Sequence, residues 1–88
     1  MIFGVYSIRD SLSGFMNPTF EVNDAVAMRN FEHAVLSSDT LLHSHAKDYD
    51  LIKIGSFNSE SGEVLPLVPF VTVVTGMSII VSSLSNKE

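Results

Sequence analysis

The chain has 88 residues and a mass of 9.6 kDa, which is the size of a single domain. It has no cysteine, which excludes disulfide scaffolds and thiolate zinc sites, and 45% hydrophobic against 17% charged residues argues against a disordered chain. Its formal net charge of −5 argues against a basic surface that coats nucleic acid non-specifically.

The N-terminal part of the chain predicts a β-hairpin. Residues 2–8 are rich in β-formers and predict a first strand. Residues 9–17 contain serine, glycine and asparagine and predict a turn-rich connection. Residues 19–22 alternate between polar and apolar and predict a short second strand. The first ten residues lack the basic and long apolar segments of a signal peptide, so we expect none.

A helix is predicted next. Asn23 is a typical N-cap residue, and Asp24 places a negative charge in the first turn, where it suits the helix dipole. Apolar residues then recur with the spacing of one helix face, which we expect to pack on the sheet. They are Ala27, Met28, Phe31, Ala34 and Val35. The helix is expected to end near residues 36–38.

The second half predicts another hairpin. Residues 39–50 read as a polar connection, and residues 49–57 contain a third strand. Residues 58–62 have the composition of a hairpin turn. Residues 63–68 predict the returning strand, with Pro66 and Pro69 marking an edge or a bend.

The C-terminal segment has no charged residue from Val64 to Asn86. Its hydropathy is high enough to suggest a membrane span over residues 67–85. However, nine of those 19 residues are β-branched and Gly76 interrupts them, which favours two buried strands joined at Thr75 and Gly76. We therefore predict a single α+β domain over residues 1–88. It comprises a small antiparallel sheet (β-hairpin, one helix, β-hairpin, C-terminal strands) with one amphipathic helix packed on one face.

Signals for catalysis are weak. His43, His45, Asp48 and Asp50 form a group that could ligate a metal, but a solvated polar loop has the same composition. The five glycines are isolated, so no glycine-rich phosphate loop is present, and no Gly-x-Ser-x-Gly elbow occurs. We therefore expect a protein that is not an enzyme and that uses no cofactor and no metal.

Binding of single-stranded nucleic acid requires exposed aromatic rings and nearby cations. The aromatic candidates are Tyr6, Phe15, Phe20, Tyr49 and Phe57. Most of these rings are expected in the core, and the two tyrosines are taken as the better exposed. The predicted nucleic-acid-binding residues are therefore Tyr6, Arg9, Arg29, Lys47, Tyr49 and Lys53.

Several stretches of the sequence resemble one known family. They are residues 6–10 (YSIRD), 18–20 (PTF), 23–31 (NDAVAMRNF), 45–57 (HAKDYDLIKIGSF) and 61–62. They are similar to the small nonstructural protein of gokushovirus-type microviruses, which are single-stranded DNA phages. The likeness covers roughly residues 3–75, and its most specific parts are Asp48-Tyr49 and Ile54-Gly55-x-Phe57. The serine-rich tail from Ser78 onward departs from it.

The resemblance implies a DNA-binding phage protein in the host bacterial cytoplasm that assists the switch from genome replication to packaging. It implies single-stranded DNA and phage replication or capsid proteins as partners. The acidic charge is compatible with DNA binding if copies associate and pool a basic stripe, so we expect a homo-oligomer. Two alternatives stay open: a protein–protein adaptor that docks through its apolar C-terminal strands, and a membrane-associated phage protein, although a membrane is not the expected partner.

Overall fold

Within residues 1–85, five antiparallel strands form one sheet, and three helices accompany it. The structure is a computed structural model that describes residues 1–85. The strands are β1 (Ile2–Asp10), β2 (Gly14–Phe15), β3 (Thr19–Glu21), β4 (Tyr49–Asn58) and β5 (Val64–Thr75). The helices are α1 (Asp24–Leu36), α2 (Leu41–Ser44) and α3 (Gly76–Ser85), with a 3-10 turn over Ala46–Asp48. The predicted α+β class is confirmed.

The sheet is built around β1 and β4, which pair along their whole length from Ile2 opposite Asn58 to Asp10 opposite Tyr49. On its other side, β1 pairs first with β3 and then with β2. On the far side of β4 lies β5, so the order across the sheet is β2–β1–β4–β5, with β3 beside β2 along β1. Both predicted hairpins are therefore formed.

Helix α1 begins where the sequence predicted. The side chain of Asn23 accepts a hydrogen bond of 2.9 Å from the backbone N–H of Val26, which satisfies one of the unpaired donors of the first turn. The helix ends at Leu36, and the hydroxyl of Ser37 donates to the carbonyl of His33. Of the predicted apolar face, Ala27, Phe31 and Val35 are buried.

The main core lies between one face of the sheet and the helices. The sheet contributes Tyr6, Tyr49 and Leu51, and α3 contributes Ile79. These side chains contact the buried face of α1, so the packing side of α1 is the predicted one. Burial of this apolar surface is the main favourable term in the stability of so small a domain.

The turn between β4 and β5 also follows the prediction. The side chain of Asn58 accepts from the backbone N–H groups of Glu60 and Ser61, and the N–H of Gly62 donates to the carbonyl of Asn58. Gly62 has a φ of +77°, a conformation that costs a residue with a Cβ more than it costs glycine. The local sequence therefore fixes this turn.

The C-terminal segment differs from the prediction of two buried strands joined at Thr75 and Gly76. Strand β5 is one strand up to Thr75 and is largely exposed, and the chain after it is the helix α3. The hydroxyl oxygen of Thr75 accepts from the N–H of Ser78 as an N-cap does, and the hydroxyl of Ser78 donates to the carbonyl of Thr75. Capping and the packing of Ile79 therefore override the β-propensity of residues 79–81.

Two further points concern the remaining segments. The polar connection predicted over residues 39–50 contains α2 and the 3-10 turn, because the hydroxyl of Thr40 caps α2 by accepting from the N–H of His43. Strand β2 was not predicted.

Among residues 1–85, no helix is both long enough and apolar enough to cross a membrane. The apolar window of residues 67–85 is divided between β5 and α3.

Candidate nucleic-acid interface

The two faces of the sheet carry different aromatic residues. Successive side chains of a strand point to opposite faces, and Tyr6 of β1 belongs to the helix-side core. Its neighbours in alternation, Phe3, Val5 and Arg9, therefore lie on the face away from α1. Cross-strand partners share a face, and the pairs Phe3–Phe57, Val5–Phe20 and Arg9–Phe15 extend this assignment to three more rings.

Five of the six phenylalanines lie on this second face, which is called here the aromatic face. Its members are Phe3, Phe15, Phe20, Phe57 and Phe70. The sixth phenylalanine, Phe31, and both tyrosines are in the helix-side core. The aromatic residues of the chain are therefore sorted by type between the two faces.

One end of the aromatic face is a cluster of three rings. Phe57 lies between Phe3, at a centroid distance of 6.3 Å, and Phe20, at 5.2 Å in an edge-to-face arrangement. Such contacts hold rings in a fixed orientation and stabilise by about 0.5–1.5 kcal/mol beyond burial. Phe20 remains 50% exposed, so one ring of the cluster offers a large surface to solvent.

The other end joins the two outer strands. Phe15 of β2 and Phe70 of β5 meet edge to face at 5.5 Å, with Phe15 48% and Phe70 46% exposed. The guanidinium of Arg9 lies 5.9 Å from one ring centre and 5.8 Å from the other, within the range of a cation–π contact. It also pairs with Asp50 at 3.5 Å. A ring contact between opposite edges of the sheet shows that the sheet curls around this face.

Buried side chains lie among these rings. Val5, Ser7 and Ile52 are buried although they lie on the face away from α1. The hydroxyl of Ser7 donates to the carbonyl of Met16 at 2.6 Å and so ties the segment between β2 and β3 to the sheet. The aromatic face therefore rests on a packed base, which favours binding because its geometry needs little reorganisation.

The two tyrosines are not exposed, contrary to the prediction. Tyr6 is 1% and Tyr49 is 5% exposed. The hydroxyl of Tyr6 donates to the carboxylate of Asp24 at the start of α1. Burial first, and then this hydrogen bond, raise the pKa of Tyr6 well above its ordinary value. Neither ring is available for base stacking, and both act in the core.

The predicted cations do not form one surface. Arg9 lies on the aromatic face, whereas Lys53 pairs with Asp24 at 3.5 Å and lies 5.9 Å from the ring centre of Tyr6, on the helix side. Arg29 is exposed on α1 and Lys47 is exposed in the 3-10 turn. Of the six residues predicted to bind nucleic acid, the aromatic face brings in Arg9 alone.

The prediction of which aromatic residues are exposed was therefore wrong. Phe15, Phe20 and Phe57 were weighed as candidates but placed after the tyrosines, and Phe3 and Phe70 were not considered. The signal available in the sequence was the alternation of side chains along β1, which separates its two faces. One face carries Phe3, Val5, Ser7 and Arg9, and the other carries Gly4, Tyr6 and Ile8. Nothing in the sequence places Phe70 beside Phe15.

The histidine and aspartate group is dispersed. The Nδ1 atom of His43 donates to the carbonyl of Val35 at 2.9 Å, and Asp50 pairs with Arg9. His45 contacts the hydroxyl of Ser44 through its own Nδ1 atom. Within residues 1–85, no group of three or more His, Asp or Glu side chains could hold a metal ion.

Comparison with known proteins supplies the family. A family model described as Phage ORF5 protein matches residues 3–79, which include α1, strands β2 to β5 and all of β1 except Ile2. The chain belongs to the phage ORF5 protein family. No curated protein and no solved structure matches it.

As a member of this family, the chain is a bacteriophage protein that acts in a bacterial host. The resemblance to a small phage protein seen in the sequence is confirmed at this level. The matched residues include the whole aromatic face, from Phe3 to Phe70, and end within α3 at Ile79.

Proposed function

We propose that the protein binds single-stranded DNA on its aromatic face and thereby assists the switch of a microvirus from genome replication to packaging. The role is non-catalytic, in the cytoplasm of the host, and its protein partners are phage replication or capsid proteins. The observation that carries the proposal is the sorting of the aromatic residues: five phenylalanines share the sheet face opposite α1, and three of them are about half exposed.

Stacking supplies the affinity in this proposal. Unpaired bases stack on exposed rings irrespective of sequence, and each stacked base contributes about 1–3 kcal/mol. Phe20 and Phe15 pair with Val5 and Arg9 of β1, four residues apart, which is roughly 13 Å along the strand. A strand of DNA laid along β1 can therefore contact both ring clusters. A duplex hides its base faces within the stack and is bound less well.

Electrostatics contribute little, in keeping with a net charge of −5. Among the described residues, Arg9 is the one cation in contact with the rings of the aromatic face. Each phosphate neutralised on a single strand contributes about −0.7 to the slope of log K against log salt concentration. We therefore expect a slope close to −0.7, much shallower than that of a basic single-strand-binding protein.

The test is fluorescence anisotropy with a labelled single strand of about 20 nucleotides, longer than the usual binding site of about 4–16, and with its duplex. Two variants, Phe15→Leu and Phe20→Leu, remove a ring but keep an apolar side chain. Each is expected to weaken single-strand binding by about 5- to 150-fold, the equivalent of one stacked base. Leu12→Ala, at an 84% exposed position in the β1–β2 turn, is the control and should bind normally.

Two results would overturn the proposal. One is the absence of binding at tens of micromolar protein even at low salt. The other is unchanged binding by both leucine variants, which would show that the DNA does not bind on the aromatic face. A thermal melt of each variant shows whether it is folded, so that a loss of binding is not mistaken for a loss of structure.

A further inference from the structure

The sheet has one long edge. On the β1 side, the edge consists of β2 and β3, which have two and three residues and are separated by a loop. On the other side, the edge is β5, which has 12 residues and pairs with β4 through one side only among the described strands. A long edge strand presents backbone N–H and C=O groups that another strand can pair with.

This edge also exposes apolar side chains. Val64, Leu65, Val68, Phe70 and Val71 of β5 are all exposed, and Val68 is 84% exposed. Opposite Ile54 of β4, the chain bulges outward, because Lys53 pairs with Val71 and Gly55 pairs with Pro66. The bulge holds Val68 away from the sheet. An apolar surface of this kind marks a site of association.

The distribution of charge indicates which partner fits. All ten acidic residues and all five basic residues lie outside residues 64–86. Two copies of a chain with a net charge of −5 repel each other at most orientations. Contact through β5 brings together the part of each copy that has no charge, so the repulsion there is least.

We infer that two copies of the protein associate through β5, edge to edge and related by a two-fold axis. A two-fold contact is self-complementary, so an uncharged apolar strand meets its own equivalent. Pro66 and Pro69 have no N–H to donate and residues 67–70 bulge out of the ladder, so we expect backbone pairing mainly over residues 71–75. The exposed apolar side chains of Val64, Leu65 and Val68 pack beside the partner. The two sheets then form one continuous sheet.

The test is the mass in solution, measured without DNA by sedimentation equilibrium. The full chain is expected to have twice the mass of 9.6 kDa at tens of micromolar. Val68→Asp and Val71→Asp place a charge on the edge and should weaken the dimer by at least about 10-fold. Leu12→Asp adds the same charge at a position that is also 84% exposed, away from β5, and should leave the dimer intact.

Salt gives a second readout. Salt screens the repulsion between two acidic copies, so the dimer should become stronger as the salt concentration rises. DNA binding should become weaker over the same range of salt. Because the chain has no cysteine, Val71→Cys also provides a single site for a short bis-maleimide cross-linker. Cross-linked dimers are expected for Val71→Cys and not for Leu12→Cys. Cross-linking is independent of whether an aspartate variant folds.

A monomeric mass at about 100 µM and physiological salt would overturn the inference, and β5 would then be a surface for a different protein. Equal loss of the dimer in Leu12→Asp and Val68→Asp would overturn it as well. Sedimentation and cross-linking are both done without DNA, so a failure of the dimer is distinguishable from a failure of DNA binding.

Discussion

The ion pair between Arg9 and Asp50 gives the sharpest prediction about the aromatic face. Asp50 lies 3.5 Å from Arg9 and competes with a DNA phosphate for the same guanidinium. Replacing Asp50 with asparagine keeps the size of the side chain and removes its charge. We therefore expect Asp50→Asn to bind single-stranded DNA more tightly than the unaltered protein.

The magnitude follows from Coulomb's law. A phosphate held on the far side of the Arg9 guanidinium lies roughly 7 Å from the Asp50 carboxylate, and their repulsion is about 0.6 kcal/mol in water and about 2 kcal/mol near a protein surface. Arg9 and Asp50 are both partly exposed, so the lower part of this range applies. The expected gain is about 0.5–1 kcal/mol, or about 2- to 5-fold in the dissociation constant.

The matched control is Asp39→Asn, which changes the net charge by the same amount in the turn after α1. The assay is anisotropy at low salt, where charge effects are largest. Arg9→Gln should weaken DNA binding and remove most of its salt dependence. Arg29 is exposed on α1, away from the aromatic face, so Arg29→Gln should do neither. If Asp50→Asn and Asp39→Asn bind alike, or if Arg29→Gln is the weaker binder, the DNA does not lie on the aromatic face.

Three further predictions concern the fold. Phe31→Ala should lower the free energy of unfolding by about 3–5 kcal/mol, measured with urea, because the ring is buried in the core; a change below about 0.5 kcal/mol would contradict this packing. Gly76→Ala should lower it by roughly 1–3 kcal/mol, since a Cβ there overlaps the carbonyl of Ala46; an unchanged urea midpoint would refute that contact. Tyr6 has a pKa raised on folding, so its contribution to stability is complete below the unfolded pKa of about 10 and is lost as the pH rises above it. Tyr6→Phe should therefore reduce the alkaline loss of stability seen by circular dichroism, and identical alkaline profiles would contradict the assignment.

Local signals in the sequence were sufficient for much of the fold. The cap at Asn23, the apolar spacing of α1 and the turn at Gly62 each depend on residues within a few positions of one another, and all three are confirmed. Pairing of β1 with β4 was not stated in advance. These two strands are far apart in the sequence, and they can pair only when the helix between them packs back on the sheet.

The candidate site was predicted less well, for a reason that is tertiary. Tyr6 and Tyr49 were predicted to be the better exposed rings, but a tyrosine is readily buried where its hydroxyl finds a hydrogen-bond partner. In the structure, Asp24 of α1 satisfies the hydroxyl of Tyr6 within the packed domain. Five of the six phenylalanines, which burial statistics place inside, lie instead on the aromatic face, away from α1.

The sequence by itself determined the class of the fold: an acidic α+β protein, with a capped helix between two hairpins and a long uncharged C-terminal segment. Only the tertiary structure decided which face of the sheet the helices cover, and hence which aromatic rings remain exposed. It also decided that residues 76–85 form a helix, because the cap at Thr75 and the burial of Ile79 outweigh the local preference for a strand. Capping and turn signals act over a few residues, whereas exposure depends on what the rest of the chain covers.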